Sequence, residues 1–160
     1  MTQVQPIPAE YTTITPHLVV HDAQAAIEFY QRAFGAELRD CLKHPQGQQV
    51  VHASMKIGNA MIMLNQESRD CGQVSPTSLG GSPVSIHLYV ENADAFFEKA
   101  VLAGATIQMP ITEMFWGDRF GTLKDPFGHQ WSVATHVKDL SEAEILKGME
   151  SCMAQPAAAK

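Results

Sequence analysis

The chain has 160 residues, of which 45% are hydrophobic, and a formal net charge of −6 at pH 7. This size and composition fit one globular domain, or two small halves that share a core. With only 11 Lys and Arg residues and no basic run, the chain lacks the electrostatic footprint of a nucleic-acid-binding protein. No apolar run resembles a signal peptide or a membrane span, and the three cysteines lie far apart. We therefore expect a soluble cytoplasmic protein whose partner is a small molecule or a second copy of the chain.

The first predicted unit is a strand, a helix and three more strands. The strand "TPHLVV" at 15–20 alternates polar and apolar residues. Asp22 is a good N-cap and Gly35 a good helix terminator, so a helix is predicted at 22–34. The stretches "AELRDCLK", "VVHASMKI" and "AMIMLNQ" then read as strands separated by turn residues. This unit covers about 12–66.

The segment at 67–83, "ESRDCGQVSPTSLGGSP", is rich in Gly, Ser and Pro. Such a composition predicts a mobile linker, or a lid over whatever lies nearby.

The second unit, at about 84–137, repeats the first with an offset of 70 residues. "HLVVHDAQAAIEFY" at 17–30 matches "HLYVENADAFFEKA" at 87–100, with seven identical pairs from 17–34 onto 87–104, and caps and apolar stripes in register. Asn92 is a good N-cap like Asp22, so a helix is predicted at 92–103, followed by three more strands. Alternation along the last strand, "HQWSVATH", predicts that Trp131 faces the helix side as a core residue. One such unit cannot bury both its helix and its sheet well, so we expect the two copies to pack together about a pseudo-twofold axis.

The last segment, 138–160, lies outside the repeat. Ser141 and Glu144 form an S-x-x-E capping box, which predicts a short helix followed by a frayed tail.

Three stretches of the chain resemble a known family: "IPAEYTTITPHLVVHDAQAAIEFYQRAFGAE", "VENADAFFEKAVLAGATIQMP" and "FWGDRFGTLKDPFGHQWSVATH". They resemble the vicinal oxygen chelate superfamily, and within it the PhnB-like, glyoxalase-like branch. The resemblance covers about residues 7–137. It implies a single α+β domain over 1–160, in which two βαβββ modules form a curved mixed sheet around a cleft. This superfamily includes glyoxalase I, extradiol dioxygenases and bleomycin-resistance proteins.

Metal-dependent members of that superfamily carry ligands on the first and last strands of each module. By resemblance, the first-strand positions fall on Thr15 and Ser85, and the last-strand positions on Ile62 or Met63 and on Ser132. Hydroxyls are weak donors to divalent metals and Ile is not a donor. We therefore expect no cofactor and no metal at this position, and we place Thr15, Ser85 and Ser132 among the substrate-binding residues.

His17 and His87 lie two residues beyond those first-strand positions, so both project from the same strand face. The pseudo-twofold relation predicts that they share one cavity. Each could act as a general base or help to ligate a metal, and a weak divalent site formed by both stays open. The structural alternative is that each imidazole only makes a hydrogen bond across a half-buried face.

"FWGDRFG" is the second informative stretch. Trp116 could stack on a planar or apolar ligand, and Arg119 could bind a carboxylate or phosphate. The alternative is a structural pair between Asp118 and Arg119 in a tight turn. Tyr89 is a further candidate for the wall of a ligand site. His129, where the turn "DPFG" ends, could belong to the site or to the core.

Two function classes follow from these residues. The first is an enzyme acting on a small carbonyl or oxygenated metabolite, with His17 or His87 as base or ligand and Arg119 as an anion anchor. The second is a metal-free protein that binds or sequesters a planar or apolar molecule between Trp116 and Tyr89, as bleomycin-resistance proteins do. A homodimer is expected because such modules expose sheet edges.

Overall fold

The computed structural model describes residues 4–154, and their secondary structure repeats once along the chain. Module one contains β1 (His17–Val20), α1 (Ala23–Phe34), β2 (Glu37–Lys43), β3 (Val50–Ile57) and β4 (Ala60–Gln66). A 3-10 turn (Arg69–Cys71) and helix α2 (Pro76–Leu79) follow. Module two contains β5 (Ser85–Tyr89), α3 (Ala93–Ala103), β6 (Thr106–Glu113), β7 (Asp118–Lys124) and β8 (Gln130–His136). Helix α4 (Glu142–Ala154) comes last, and the predicted frayed tail beyond residue 154 lies outside the described residues.

Each module forms its own four-stranded mixed sheet. The strand orders are β1-β4-β3-β2 and β5-β8-β7-β6. In both sheets the first strand of the module pairs parallel with its last strand, and the other neighbours pair antiparallel. The two predicted βαβββ modules are therefore confirmed. Their strands are hydrogen-bonded into two sheets rather than into one continuous sheet.

The helices begin where the sequence predicts. Oδ1 of Asp22 accepts a hydrogen bond of 2.9 Å from N of Ala25, and Oδ1 of Asn92 accepts one of 3.0 Å from N of Ala95. Each bond satisfies an N–H group of the first turn that has no partner within the helix. Gly35 then ends α1 in the left-handed conformation at φ 65°.

The two modules share one core in which α1 lies against α3. Phe34 of α1 stacks on Phe96 of α3 with ring centroids 5.6 Å apart, and it also lies 4.6 Å from the ring of Trp131. Trp131 is completely buried, as the alternation along its strand predicts. Large aromatic side chains from both modules thus bury one continuous apolar surface.

The buried carboxylate of Asp125 joins the modules by hydrogen bonds. Its Oδ2 accepts from Oη of Tyr30 (2.7 Å) and from Nε1 of Trp131 (2.8 Å), while its Oδ1 accepts from N of Phe127 and N of His129, both at 2.9 Å. Burial, with a further contribution from the Asp125 charge, raises the pKa of Tyr30 well above its usual range. A protonated Tyr30 therefore links α1 to the β7–β8 turn.

Hydrogen bonds hold part of the segment between the modules, which its composition predicts to be a mobile linker or a lid. Oε2 of Glu67 accepts from N of Ser75 (2.6 Å), and Oε1 accepts from Oγ of Ser78 (2.9 Å). Glu67 therefore holds α2 close to the end of β4. Composition alone gives no sign of this carboxylate contact.

Helix α4 begins with the predicted capping box. N of Ser141 donates to Oε2 of Glu144 (2.8 Å), and N of Glu144 lies 3.4 Å from Oγ of Ser141. The helix packs on module two so closely that a Cβ added at Gly148 would lie 2.9 Å from Cβ of Phe115. Within residues 4–154, no helix has the length and apolar character needed to cross a membrane.

Candidate functional site

Each sheet has one face that carries a helix and one that does not, and the latter is here called the helix-free face. On β1, Leu18 and Val20 are buried toward the helix while His17 is exposed on the other side. On β5, His87 alternates in the same way with the partly buried Leu88. The prediction that both histidines project from the corresponding face of their strands is confirmed.

His87 lies on the helix-free face of module two, on the outer strand β5. Its Nδ1 is 2.7 Å from Oγ of Ser132, which is its register partner on β8. The imidazole meets the ring of Tyr89 edge-on at 4.5 Å and stacks parallel to Phe120 at 6.0 Å. Ser85 lies on the same face two residues before His87. The helix-free face thus groups four side chains with this imidazole. Ser85, Tyr89 and Ser132 are predicted site residues, and Phe120 is an additional one.

Asp118 is the buried carboxylate of this face. Its Oδ2 accepts hydrogen bonds of 3.1 Å from Oη of Tyr89 and of 3.1 Å from Nε1 of Trp116. Its Oδ1 lies 2.7 Å from Nδ1 of His136. One carboxylate therefore fixes the orientation of two aromatic side chains that belong to different strands and turns.

We call His87, Tyr89, Trp116 and Phe120 the aromatic shelf. Trp116 meets Phe120 edge-on with ring centroids 5.6 Å apart, so the four rings form a connected group. Tyr89 leaves 65% of its surface exposed, which is unusual for a ring whose hydroxyl is held by a buried carboxylate. The shelf therefore presents oriented aromatic surface to solvent.

The titratable groups of the shelf influence each other. Burial by itself raises the pKa of Asp118, but the hydrogen bonds from His136, Tyr89 and Trp116 outweigh it and hold the pKa below its usual range. The hydrogen bond to Asp118, with a second to Asp139, raises the pKa of His136. The same carboxylate raises the pKa of Tyr89, which keeps the phenol protonated as a donor.

Arg119 is not part of the shelf. Its Nε donates a hydrogen bond of 2.7 Å to Oδ2 of Asp94 on α3, and its Nη2 donates to the second carboxylate oxygen. Because Arg119 follows Asp118 directly along β7, its side chain leaves the opposite face of the sheet. Asp118 and Arg119 do not pair with each other either, although the sequence offers that pair as the structural alternative. A role for Arg119 as an anion anchor stays a prediction, but the structure separates it from His87.

The helix-free face of module one is covered by residues that precede β1. Oη of Tyr11 donates a hydrogen bond of 3.0 Å to Oγ of Ser54 on β3. Glu10 forms ion pairs with Arg39 (3.2 Å) and Lys56 (3.5 Å). The repeat has no counterpart of this N-terminal arm.

His17 has different surroundings from His87. Its imidazole meets His52 edge-on at 5.7 Å, and Nδ1 of His52 lies 2.7 Å from Oδ1 of Asn65. His17 lines two cavities, one between the modules and one bounded by module one and the start of the segment at 67–83, and His87 lines neither of them. A cavity shared by His17 and His87 therefore stays a prediction.

Two further predicted site residues have structural contacts. Nε2 of His129 donates a hydrogen bond of 3.0 Å to the carbonyl oxygen of Val19, which ties the β7–β8 turn to β1. Oγ1 of Thr15 donates to the carbonyl oxygen of Thr12 (3.3 Å) just before β1.

The side chains at the superfamily's metal position do not fit a divalent ion. Met63 lies beside His17 in the register and Ser132 lies beside His87, while Ile62 is buried on the helix side. A thioether and hydroxyls are poor ligands for such ions. Within the part of the chain that the structure describes, no group of three or more His, Cys, Asp or Glu side chains is arranged to hold a metal.

Phe120 and His136 were not predicted as site residues. The partner considered for Asp118 was Arg119, whereas the structure pairs Asp118 with Tyr89, Trp116 and His136. The alternation along β7 was a usable signal, because it places Phe120 on the same face as Asp118. No local signal identifies His136, since its contact with Asp118 spans 18 residues.

Comparisons with known proteins agree with this architecture. The family model "Glyoxalase/Bleomycin resistance protein/Dioxygenase superfamily" matches residues 11–133. Protein Mb0911c of Mycobacterium bovis is 43% identical over 141 residues, which cover 86% of this chain and 92% of that protein. The crystal structure of TioX from Micromonospora sp. ML1 is 25% identical with a TM-score of 0.62, over 79% of this chain and 99% of that chain. The PhnB protein of Bacillus cereus is 21% identical with a TM-score of 0.60, over 78% and 99% of the two chains, and shows the shared fold.

Proposed function

The chain belongs to the Glyoxalase/Bleomycin resistance protein/Dioxygenase superfamily, and on this basis we propose that it is a glyoxalase-like protein that binds a small planar molecule without a metal. The ligand stacks on the aromatic shelf of module two. Its polar edge faces His87, whose Nδ1 is occupied by Ser132 and whose Nε2 is available to the ligand.

The observation that carries this proposal is the shared hydrogen bonding of Tyr89 and Trp116 to Asp118. A ring that is already held in place loses little conformational entropy when a ligand stacks on it. An exposed aromatic surface that the protein holds rigid is therefore better explained by binding than by core packing.

The site's chemistry supports binding more than metal-dependent catalysis. The side chains at the superfamily's ligand positions, which include Thr15, Met63, Ser85 and Ser132, are hydroxyls and a thioether, so these positions offer neither the imidazoles nor the carboxylates of a catalytic metal centre. The predicted anion anchor, Arg119, is bound to Asp94 on the other face.

A second candidate function is an enzyme that acts on a small carbonyl or oxygenated metabolite. It is favoured by the contact between His87 and Ser132, which can fix one tautomer and leave Nε2 as a general base. Metal content separates metal-free binding from a metal-dependent form of this enzyme. Near-unit occupancy in protein purified without chelator, lost in His17→Ala or His87→Ala, would favour the enzyme.

The binding experiment uses acridine orange as the planar probe, titrated calorimetrically into the full chain. Trp116→Leu and Tyr89→Leu should each weaken binding about two- to tenfold, since an aromatic contact contributes about 0.5–1.5 kcal/mol. Arg119→Gln is the control, because this side chain lies on the other face. Absence of saturable binding, or an equal loss in Arg119→Gln, would overturn the proposal.

A homodimer, in the cytoplasm, is part of the same proposal. All residues of β2 are exposed, and β2 and β6 lie at the edges of their sheets. Such edges carry unpaired backbone groups that a second chain can satisfy. Light scattering at micromolar protein should give twice the chain mass of 17.5 kDa, and a particle of 17.5 kDa throughout would contradict the dimer.

A further inference from the structure

A cavity of about 300 Å³ lies between the two modules, separate from the aromatic shelf. Module one contributes β1 and the residue before it, and module two contributes β5 and the β7–β8 turn. The segment between the modules forms the remaining wall. The shelf residues His87, Tyr89, Trp116 and Phe120 do not line it.

The lining is apolar and carries no Lys, Arg, Asp or Glu side chain. Leu18, Val19, Val74 and Ile86 provide aliphatic surface from three parts of the chain. A charged ligand would lose its hydration here without gaining an ion pair, so the lining selects against ions. A neutral apolar molecule would instead gain from leaving water.

Two histidines are the titratable groups of the lining, and they differ in what they offer a ligand. Nε2 of His129 is already bonded to the carbonyl oxygen of Val19. The imidazole of His17 makes no hydrogen bond to another group within residues 4–154, and it borders this cavity. His17 can therefore give or accept one hydrogen bond from a ligand.

The cavity wall that the segment between the modules forms is held in place by hydrogen bonds on both sides. The hydrogen bonds from Ser75, together with that from Ser78, lower the pKa of Glu67 to about 2, so its carboxylate stays ionised and keeps α2 in position. On the other side, Nε2 of Gln130 donates a hydrogen bond of 2.9 Å to the carbonyl oxygen of Ser82. The cavity is therefore preformed.

Apolar side chains also stand at the edge of the cavity. Leu79 and Val84 line it while 69% and 63% of their surfaces are exposed. Exposed aliphatic side chains beside an apolar cavity can cover a ligand and bury their own surface when it enters.

We propose that this cavity is a second binding site, which takes a small neutral aliphatic molecule with one hydroxyl or carbonyl group. The aliphatic part packs among Leu18, Val74 and Ile86, and the oxygen bonds to His17. The site differs from the shelf in place and in chemistry, since it has no stacking surface and its volume is at the lower limit of small-molecule pockets.

Methyl NMR of the full chain, with 1-hexanol as the probe, tests the site. Saturable shifts are expected for the methyl groups of Leu79, Val84 and Ile86. Leu79→Trp should reduce the affinity at least fivefold by filling the entrance. The matched control is Leu102→Trp, because Leu102 is 82% exposed on α3 and is not part of the lining.

The role of His17 is tested with His17→Phe, which keeps a ring but removes the hydrogen bond. Affinity for 1-hexanol should fall about fivefold, the equivalent of about 1 kcal/mol for one neutral hydrogen bond. Xenon, which needs no hydrogen bond, should bind the variant as well as the native protein. Shifts that do not saturate, or that Leu79→Trp and Leu102→Trp leave equally unchanged, would overturn the proposal. Unchanged hexanol affinity in His17→Phe would overturn the role of the imidazole.

Discussion

Tyr89 and Trp116 donate hydrogen bonds to the same oxygen atom, since Oη of Tyr89 and Nε1 of Trp116 each lie 3.1 Å from Oδ2 of Asp118. They belong to β5 and to the turn before β7, which are far apart in the sequence. The carboxylate therefore determines the angle between two rings that no local structure relates.

Replacing Asp118 should disturb both stability and the shelf. Asp118→Ala removes the acceptor for three side-chain donors, so the free energy of unfolding should fall by about 1–3 kcal/mol. Asp118→Asn keeps one acceptor oxygen and should lose less. Urea denaturation measures both variants, and Trp116 fluorescence reports the freed indole. An alanine variant as stable as the native protein would show that the three bonds contribute nothing net.

The stability of the shelf should depend on pH through His136. Its folded pKa is raised by Asp118 and Asp139, so its contribution is complete below the ordinary value of about 6.5 and is lost as pH rises through the raised value. The lowered pKa of Asp118 acts at the acid end of the pH range. Its contribution to stability is present above pH of about 3.9 and is lost as the pH falls through the pKa of Asp118 in the folded protein.

The measurement for this dependence is the melting temperature between pH 5.5 and 8.5. Native protein should lose stability relative to His136→Gln as pH increases. His44→Gln is the control, because His44 lies in the exposed turn between β2 and β3. Parallel curves for native protein and His136→Gln would refute the assignment.

Asp125→Ala should be among the most destabilising single substitutions. It leaves the buried Tyr30 hydroxyl and Trp131 indole without their acceptor, together with two backbone N–H groups. We expect the free energy of unfolding to fall by about 3–5 kcal/mol. Asp70→Ala, at an exposed position in the 3-10 turn, should change it by less than about 0.5 kcal/mol. Similar denaturation midpoints for the two variants would contradict this.

Gly117→Ala should distort the turn that presents Trp116. Gly117 has φ of 98°, and an added Cβ would lie 2.3 Å from the carbonyl oxygen of Lys138. Gly58→Ala is the matched control, since Gly58 also has positive φ (57°) but no atom within 4 Å of the added Cβ. The control should cost about 1–2 kcal/mol from φ alone, and Gly117→Ala should cost more. Equal losses in thermal denaturation would rule out the steric contribution.

The amino-acid sequence by itself determined the repeat and its local elements. Three kinds of feature depend only on neighbours within a few residues, and all three are confirmed. They are the N-caps Asp22 and Asn92, the burial of Trp131, and the strand face of His17 and His87. Local spacing predicts such features because helix and strand periodicity are fixed by the backbone.

The tertiary structure decided which side chains meet. It placed His17 edge-on to His52 and His87 edge-on to Tyr89, paired Arg119 with Asp94 and joined Tyr89 to Asp118 across 29 residues. These contacts depend on how β5, β7 and α3 are placed relative to each other and on how far each side chain reaches. Alternation assigns a residue to a face, but it does not say which residue from another strand will stand opposite. The candidate site could therefore be predicted only as a face of each sheet, while its hydrogen-bond partners follow from the packing of the whole chain.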